Sequence, residues 1–224
     1  MTLLWQPSEE HLRNLPLTRF AQQVEAATGH SFEDYAALHA WSVEEAEDFW
    51  RAAWSFLELQ GEPGDTVIDD LHQMPGASWF PEGRVSFAGT ILREADERPA
   101  IRARGEHQAQ WRTISRRELH EMVGAAAEAM RQAGVVEGDR VVGYLPNIPE
   151  TIVSMLAAST LGAIWSSCSP DFGVRGVLDR FERLEPKLLV CCDGYAYGGK
   201  RIDCRPRTAE ILEALAKTTA SALR

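Results

Sequence analysis

The sequence predicts an α/β protein: an N-terminal helical accessory segment, then an incomplete, mainly parallel sheet with flanking helices. Three observations carry this expectation. Residues 1–95 show apolar positions at helical spacing and hold all but two of the seven tryptophans. From about Asp96, short apolar runs alternate with helical stretches, the pattern of right-handed βαβ crossovers that builds a parallel sheet. Gly and Pro mark the changes between them. The domains expected are therefore 1–95 and 96–224.

In the first region, Thr18 is placed to cap a helix that ends near Gly29, and Ser31-Phe32-Glu33-Asp34 starts the next. Ser42-Val43-Glu44-Glu45 reads as a capping box, in which the Ser hydroxyl accepts from a free N–H and the Glu reaches back. The helix after it would put Val43, Ala46, Trp50, Ala53, Trp54 and Leu57 on one face, with Gly61-Glu62-Pro63-Gly64 ending it. Its tryptophans read as core packing, because large aromatics dominate burial. Residues 65–82 are irregular, punctuated by Pro75, Gly76, Pro81 and Gly83.

In the second region, Ala100 to Arg104 reads as a strand, and Ser115-Arg116-Arg117-Glu118 as a second capping box. The helix it opens presents Leu119, Met122, Val123, Ala126, Met130 and Ala133, and Gly134 stops it. A turn at Gly138-Asp139 leads into the strand Arg140 to Leu145. Pro149-Glu150 starts a helix that is apolar nearly all round and so buried. Ala163 to Ser166 is a short strand, Val177 to Leu184 a helix broken by Pro186, and Lys187 to Cys192 a buried strand. A last helix runs from about Thr208 to Leu223.

Composition narrows the function classes. Acidic residues number 33 against 23 basic, for a net charge of −10, which argues against nucleic-acid binding. The longest apolar run, Ile152 to Ile164, is interrupted by Ser154, Ser159, Thr160 and Gly162 and is too short for a bilayer. The start, MTLLWQPSEEHLRN, lacks the basic and apolar stretches of a signal peptide. Cys168, Cys191, Cys192 and Cys204 form no C-x-x-C pair, so no zinc site is expected and all four read as small hydrophobes. Together these features point to the cytosol, with no membrane or nucleic-acid partner.

Two segments could carry chemistry. Gly194 to Lys200 matches G-x-x-x-x-G-K, but Arg201 stands where a P-loop needs Ser or Thr, and no helix opens there. Gly198-Gly199 still permits a tight turn beside the cations Lys200 and Arg201, a simple phosphate contact or else a solvated turn between strands. The loop Ser166 to Gly173 follows a strand and precedes a helix, where ligands of parallel sheets bind; its hydroxyls serve a ligand or cap the helix. The six His residues lie in other segments and no G-x-S-x-G elbow is present, which excludes a serine hydrolase.

The stretch GVVEGDRVVGYLPNIPETIVSMLAASTLGAIWSSCSPDFG (134–173) resembles the adenylate-forming acyl-CoA synthetases. Within them, WSSCSPDFG (165–173) and CCDGYAYGGKRIDC (191–204) are most similar to the acetoacetyl-CoA synthetase branch. LHAWSVEEAEDFWRAAWSFLEL (38–59) is similar to the accessory segment of acetyl- and acetoacetyl-CoA synthetases. The resemblance implies an acid–thiol ligase with ATP, magnesium, CoA and acetoacetate as its small-molecule substrates and no tightly bound cofactor. It implies that Tyr197, Gly198, Gly199, Lys200 and Arg201 meet the phosphate end of CoA. In that segment Tyr197 and Lys200 take the places of two arginines, and Arg201 is the candidate to restore the lost charge. The family's Ser/Thr/Gly-rich phosphate loop and its catalytic Lys have no match in this sequence, so the resemblance covers the N-terminal part of such an enzyme. No catalytic residue and no metal ligand is assigned in 1–224. Two readings stand beside it: the same architecture acting on acetate or propionate, and a non-catalytic α/β binding module.

Overall fold

The computed structural model describes residues 4–222 and divides the chain into two compact units, Met1–Ser86 and Phe87–Arg224. The first unit holds α1 (Glu9–Arg13), α2 (Pro16–Thr28), α3 (Tyr35–Glu44) and α4 (Ala46–Phe56). Pro16 opens α2, where its missing N–H costs nothing, and Gly29 closes it at φ 78°. Thr18 is not its cap; its hydroxyl donates to the Leu12 carbonyl.

The expected capping box at Ser42 is replaced by an earlier start. Asp34 caps α3 by accepting from the Ala37 N–H, so Ser42 falls inside that helix and donates to the His39 carbonyl. The chain breaks at Glu45 before α4 begins. Resetting the helix phase also changes its buried face: Val43 is 61% and Leu57 53% exposed, while Phe49, Ala52, Ala53 and Phe56 pack on Phe20, Val24, Leu38 and Trp41. The rings meet edge-on, Phe20 with Phe49 at 5.7 Å and with Phe56 at 5.3 Å between centroids. Residues 61–85 form two short antiparallel ladders: β1 (Gly61–Glu62) with β4 (Arg84–Val85), and β2 (Ile68–Asp69) with β3 (Ser78–Trp79).

The second unit starts with α5 (Phe87–Leu92) and a hairpin of β5 (Pro99–Ala103) and β6 (Arg112–Ser115). Ser115 then opens α6 (Arg116–Gln132) with the expected capping box: its hydroxyl accepts from the Glu118 N–H and the Glu118 carboxylate accepts from its own. Next come β7 (Arg140–Tyr144), α7 (Pro149–Thr160), β8 (Ile164–Cys168), α8 (Val174–Phe181) and, after a short 3₁₀ turn, β9 (Leu188–Cys191). A second hairpin, β10 (Gly194–Tyr197) and β11 (Lys200–Asp203), leads into α9 (Arg205–Ala222). Leu223, the expected end of that helix, lies outside the described residues.

The sheet is parallel, in the order β8-β7-β9. The chain leaves β7 for β8 and then returns past β7 to β9. Right-handed crossovers in opposite directions put α7 and α8 on opposite faces. Strand alternation separates the two cores. Val141, Trp165, Leu188 and Val190 face α6 and α7, with Leu119, Val123, Leu156 and Ala157. Val142, Tyr144, Cys168 and Leu189 face Val177, Phe181, Ile211 and Leu215 of α8 and α9. Gly143 is required by this packing: a Cβ there would stand 2.7 Å from the Trp165 indole. Burial on both faces explains the nearly uninterrupted apolar runs of β7 and β9. Only β7 is fully covered, however. β9 is half-buried and Cys191 at its end is exposed, which corrects the expectation that this strand and both its terminal cysteines are core. An outer strand has a neighbour on one edge only.

Candidate functional site

Three connections emerge at the carboxyl end of the parallel sheet: the loop after β7, the loop 169–173 after β8, and the β10–β11 hairpin after β9. Ligands of doubly wound sheets bind in this position, outside the strand ends where the order reverses. The structure ties the second and third together. Tyr195 on β10 donates to Asp171 Oδ1 at 2.5 Å, and Ser169 donates to Asp171 Oδ2 at 2.8 Å. These bonds hold the Asp171 carboxyl below its ordinary range and push the Tyr195 phenol up to about 12. Beneath the loop, the buried Tyr144 hydroxyl lies 3.0 Å from the carbonyls of both Pro170 and Phe172. Arg207 Nη1 donates to the Pro170 carbonyl at 2.8 Å. Burial raises the Tyr144 phenol, and the neighbouring Arg207 guanidinium opposes that rise without cancelling it.

The serines of the loop do not act as helix caps. Gly173 occupies the N-cap of α8, which has no side-chain cap, and Ser169 is committed to Asp171. Among the described residues no His side chain hydrogen-bonds to Ser166, Ser167 or Ser169. Cys168 is buried, and desolvation raises its thiol. Among the described residues no group of three His, Cys, Asp or Glu side chains is placed to hold a metal ion.

The segment 197–201 closes the hairpin. Gly198 and Gly199 are its two central residues, at φ 57° and 74°, the left-handed pair that a two-residue turn matched to strand twist requires. Tyr197 lies opposite Lys200, and Ala196 opposite Arg201. Directly opposed residues share a face and successive residues do not. Tyr195, Tyr197, Lys200 and Ile202 therefore lie on one face, and Arg201 on the other with Asp203. Adjacent in sequence, Lys200 and Arg201 therefore leave the hairpin from opposite faces. Among the described residues, neither forms an ion pair.

The turn has a partner that the sequence did not disclose. Glu106, in the loop between β5 and β6, accepts from the Gly198 N–H at 3.0 Å through one carboxylate oxygen and from the Gly199 N–H at 3.2 Å through the other. Those two bonds hold the Glu106 carboxyl below its ordinary range. A separation of 92 residues hides this contact from any local pattern. An open cleft of about 510 Å³ beside Glu44, Glu45, Glu47, Asp48 and Leu71 belongs to the first unit and includes none of these residues.

Comparison with known proteins places the chain. Residues 91–223 match the family described as AMP-binding enzyme, and residues 35–88 match the acetyl-coenzyme A synthetase N-terminus. The chain is 42% identical to an acetoacetyl-coenzyme A synthetase of Rhizobium meliloti, over 96% of its own length and 33% of that protein. It is 38% identical to the acetoacetyl-CoA synthetase of Macaca fascicularis, over 95% of its length and 32% of the relative. A solved acetoacetyl-CoA synthetase structure from Streptomyces lividans superposes with a TM-score of 0.88 at 40% identity, covering 96% of this chain and 34% of that one. The chain thus spans about a third of the length of the relatives it matches.

Proposed function

The chain belongs to the AMP-binding enzyme family, and from that premise we propose that it forms the N-terminal part of an ATP-dependent acetoacetate–CoA ligase. In such a reaction the acetoacetate carboxylate attacks the α-phosphorus of ATP, giving acetoacetyl-adenylate and releasing pyrophosphate. The CoA thiol, losing its proton, then attacks the acyl carbon and AMP leaves, giving acetoacetyl-CoA. Both steps depend on holding reactants in line and on neutralising phosphate charge. The observation that carries the reading is identity of 42% along 96% of the chain to a protein with that name. The same reading assigns 1–95 as an accessory segment and 96–224 as the first part of the adenylation domain.

Within this part, the role assigned to the chain is to receive CoA rather than to perform chemistry. Lys200 and Tyr197 share the hairpin face that carries Tyr195, and Gly198-Gly199 offers two adjacent N–H donors. A phosphate with Lys200 on one side and peptide N–H groups on another satisfies the requirements for binding an anion at a turn. Arg201, on the opposite face, makes no direct contribution to that phosphate.

Calorimetric titration of CoA into the chain tests the assignment. Lys200→Ala should weaken binding about three- to tenfold, the value of one exposed charge–phosphate contact. The difference should shrink as ionic strength rises. Arg201→Ala should cost less, and dephospho-CoA should ignore Lys200→Ala if the contact is to the 3′-phosphate. Equal losses for Lys200→Ala and Arg201→Ala would point to diffuse charge and against a site. With no Ser/Thr/Gly-rich phosphate loop in its sequence, the chain alone should support acetoacetate-dependent pyrophosphate exchange only at background.

A further inference from the structure

The Gly198-Gly199 turn is more than a permissive bend. Its two consecutive N–H groups point the same way, which makes a concave donor pair of the kind that binds anions. In this structure an anion already fills it: the two oxygens of Glu106 each take one N–H. The loop that delivers Glu106 is itself braced. The Gly105 N–H donates to Gln108 Oε1 at 3.1 Å and the Gln108 N–H donates to the Gly105 carbonyl at 3.1 Å, which fixes residue 106 at the tip. Behind that loop, Arg102 and Arg104 both stack on the Trp111 ring, at 5.3 and 5.1 Å from its centroid. A carboxylate and a phosphate each present two oxygens to a pair of donors, and the pair can serve only one of them.

We infer that the Gly198-Gly199 turn is an anion socket plugged from within the chain by Glu106, which a phosphate-bearing ligand must displace. The inference rests on reading 197–201 as a phosphate contact and adds a gate to it: the ligand gains the two hydrogen bonds from the Gly198 and Gly199 N–H groups only by displacing the carboxylate, and repulsion from Glu106 opposes it until the loop moves aside. Charge selectivity follows. A phosphate dianion beside Lys200 can compensate for the displaced carboxylate, whereas a neutral ligand group gains nothing from the exchange.

The test uses the 224-residue chain, ¹⁵N-labelled, with inorganic phosphate and adenosine 3′,5′-bisphosphate as probes and the Gly198 and Gly199 amide resonances as reporters. Glu106→Gln and Glu106→Ala should each tighten phosphate binding at these two amides by about three- to tenfold over the unaltered chain, the effect of removing one competing charge. Glu213→Ala, which removes an equal charge from a carboxylate paired with Lys217, should leave the affinity unchanged. Equal affinities in the Glu106 variants and the unaltered chain would overturn the inference, as would phosphate that binds without moving either glycine amide. If phosphate binds the socket in Glu106→Ala but the bisphosphate does so no better, the socket stands and the CoA reading fails. If the bisphosphate shifts Lys200 while both glycine amides stay still in every variant, the CoA reading stands and the socket fails.

Discussion

At the scale of single residues, the Asp171–Tyr195 pair is the clearest electrostatic link between the loop after β8 and the hairpin. The phenol, pushed up to about 12, keeps its proton and donates it in a hydrogen bond to a carboxylate held below its ordinary value of 3.8. Because the folded phenol binds its proton more tightly than the unfolded one, its contribution is complete below its ordinary value of 10 and is lost as pH rises toward 12. The carboxylate works at the other end: its contribution is present above 3.8 and is lost as pH falls through its lowered folded value. Ultraviolet titration should show one tyrosine ionising near 12 in the unaltered chain. Asp171→Asn should return that tyrosine toward 10, and Tyr195→Phe should abolish its signal while raising the Asp171 carboxyl toward 3.8. Because the buried Tyr144 phenol is also raised and does not touch Asp171, the assignment breaks if Asp171→Asn leaves the number of late-ionising tyrosines unchanged. The pairing of Asp171 with Tyr195 was not legible in the sequence, where 24 residues separate them, nor was that of Glu106 with the turn, although the loop 166–173 and the turn 197–201 were both read as candidates. Sequence patterns name residues suited to a loop; they do not say which distant loop arrives opposite.

At the scale of elements, legibility followed whether the deciding interaction was local. The Ser115 capping box lies within four residues and was found; so were the Pro-led start of α7 and the glycine ends of α2 and α6. Ser42 offered the same local pattern and was wrong, because Asp34, eight positions earlier, starts a helix that runs through it. A denaturation series should separate the two. Ser115→Ala should cost about 1 kcal/mol through loss of the cap. Ser42→Ala, with only a bond to its own helix to lose, should stay within about 0.5 kcal/mol. Comparable losses at both positions would restore Ser42 as a cap. The hairpin strand β6 went unread because Arg112–Ser115 is short and mixed in polarity; its pairing with β5 and the burial of Ile114 supply what propensity does not. Gly143 shows a tertiary demand inside a strand. Gly143→Ala should cost about 1–3 kcal/mol by pressing on the Trp165 ring, and Gly143→Ala combined with Trp165→Leu should recover part of that loss.

For the whole molecule, the sequence revealed the α/β class and the sheet strands but not how few of them are fully covered. A run such as Leu188–Cys191 reads as core because its composition suits two packed faces, yet burial also requires a neighbouring strand. Among the described residues, β8 and β9 each pair with β7 alone, so both outer edges of the sheet are left with unpaired peptide groups. Ile164 at the start of β8 is 54% exposed, and Val136, Phe172 and Leu212 of the same unit also face solvent. Such edges and apolar residues favour association. A net charge of −10 opposes it by mutual repulsion. The balance between them depends on ionic strength, because the repulsion is long-ranged and edge pairing is not. Screening falls to about 3 Å at 1 M salt from about 10 Å at 0.1 M, which removes repulsion between approaching chains while leaving apolar contact intact. Sedimentation velocity of the chain should therefore show a coefficient that rises with protein concentration, and rises more steeply at high salt than at low. Glutamate substitutions at Ile164 and Val136 should suppress the rise, because they remove exposed apolar surface and add to the net negative charge. A single sharp monomer boundary at every salt and protein concentration would mean that the edges are protected, and that the covered interior of this unit is larger than its three-stranded sheet provides.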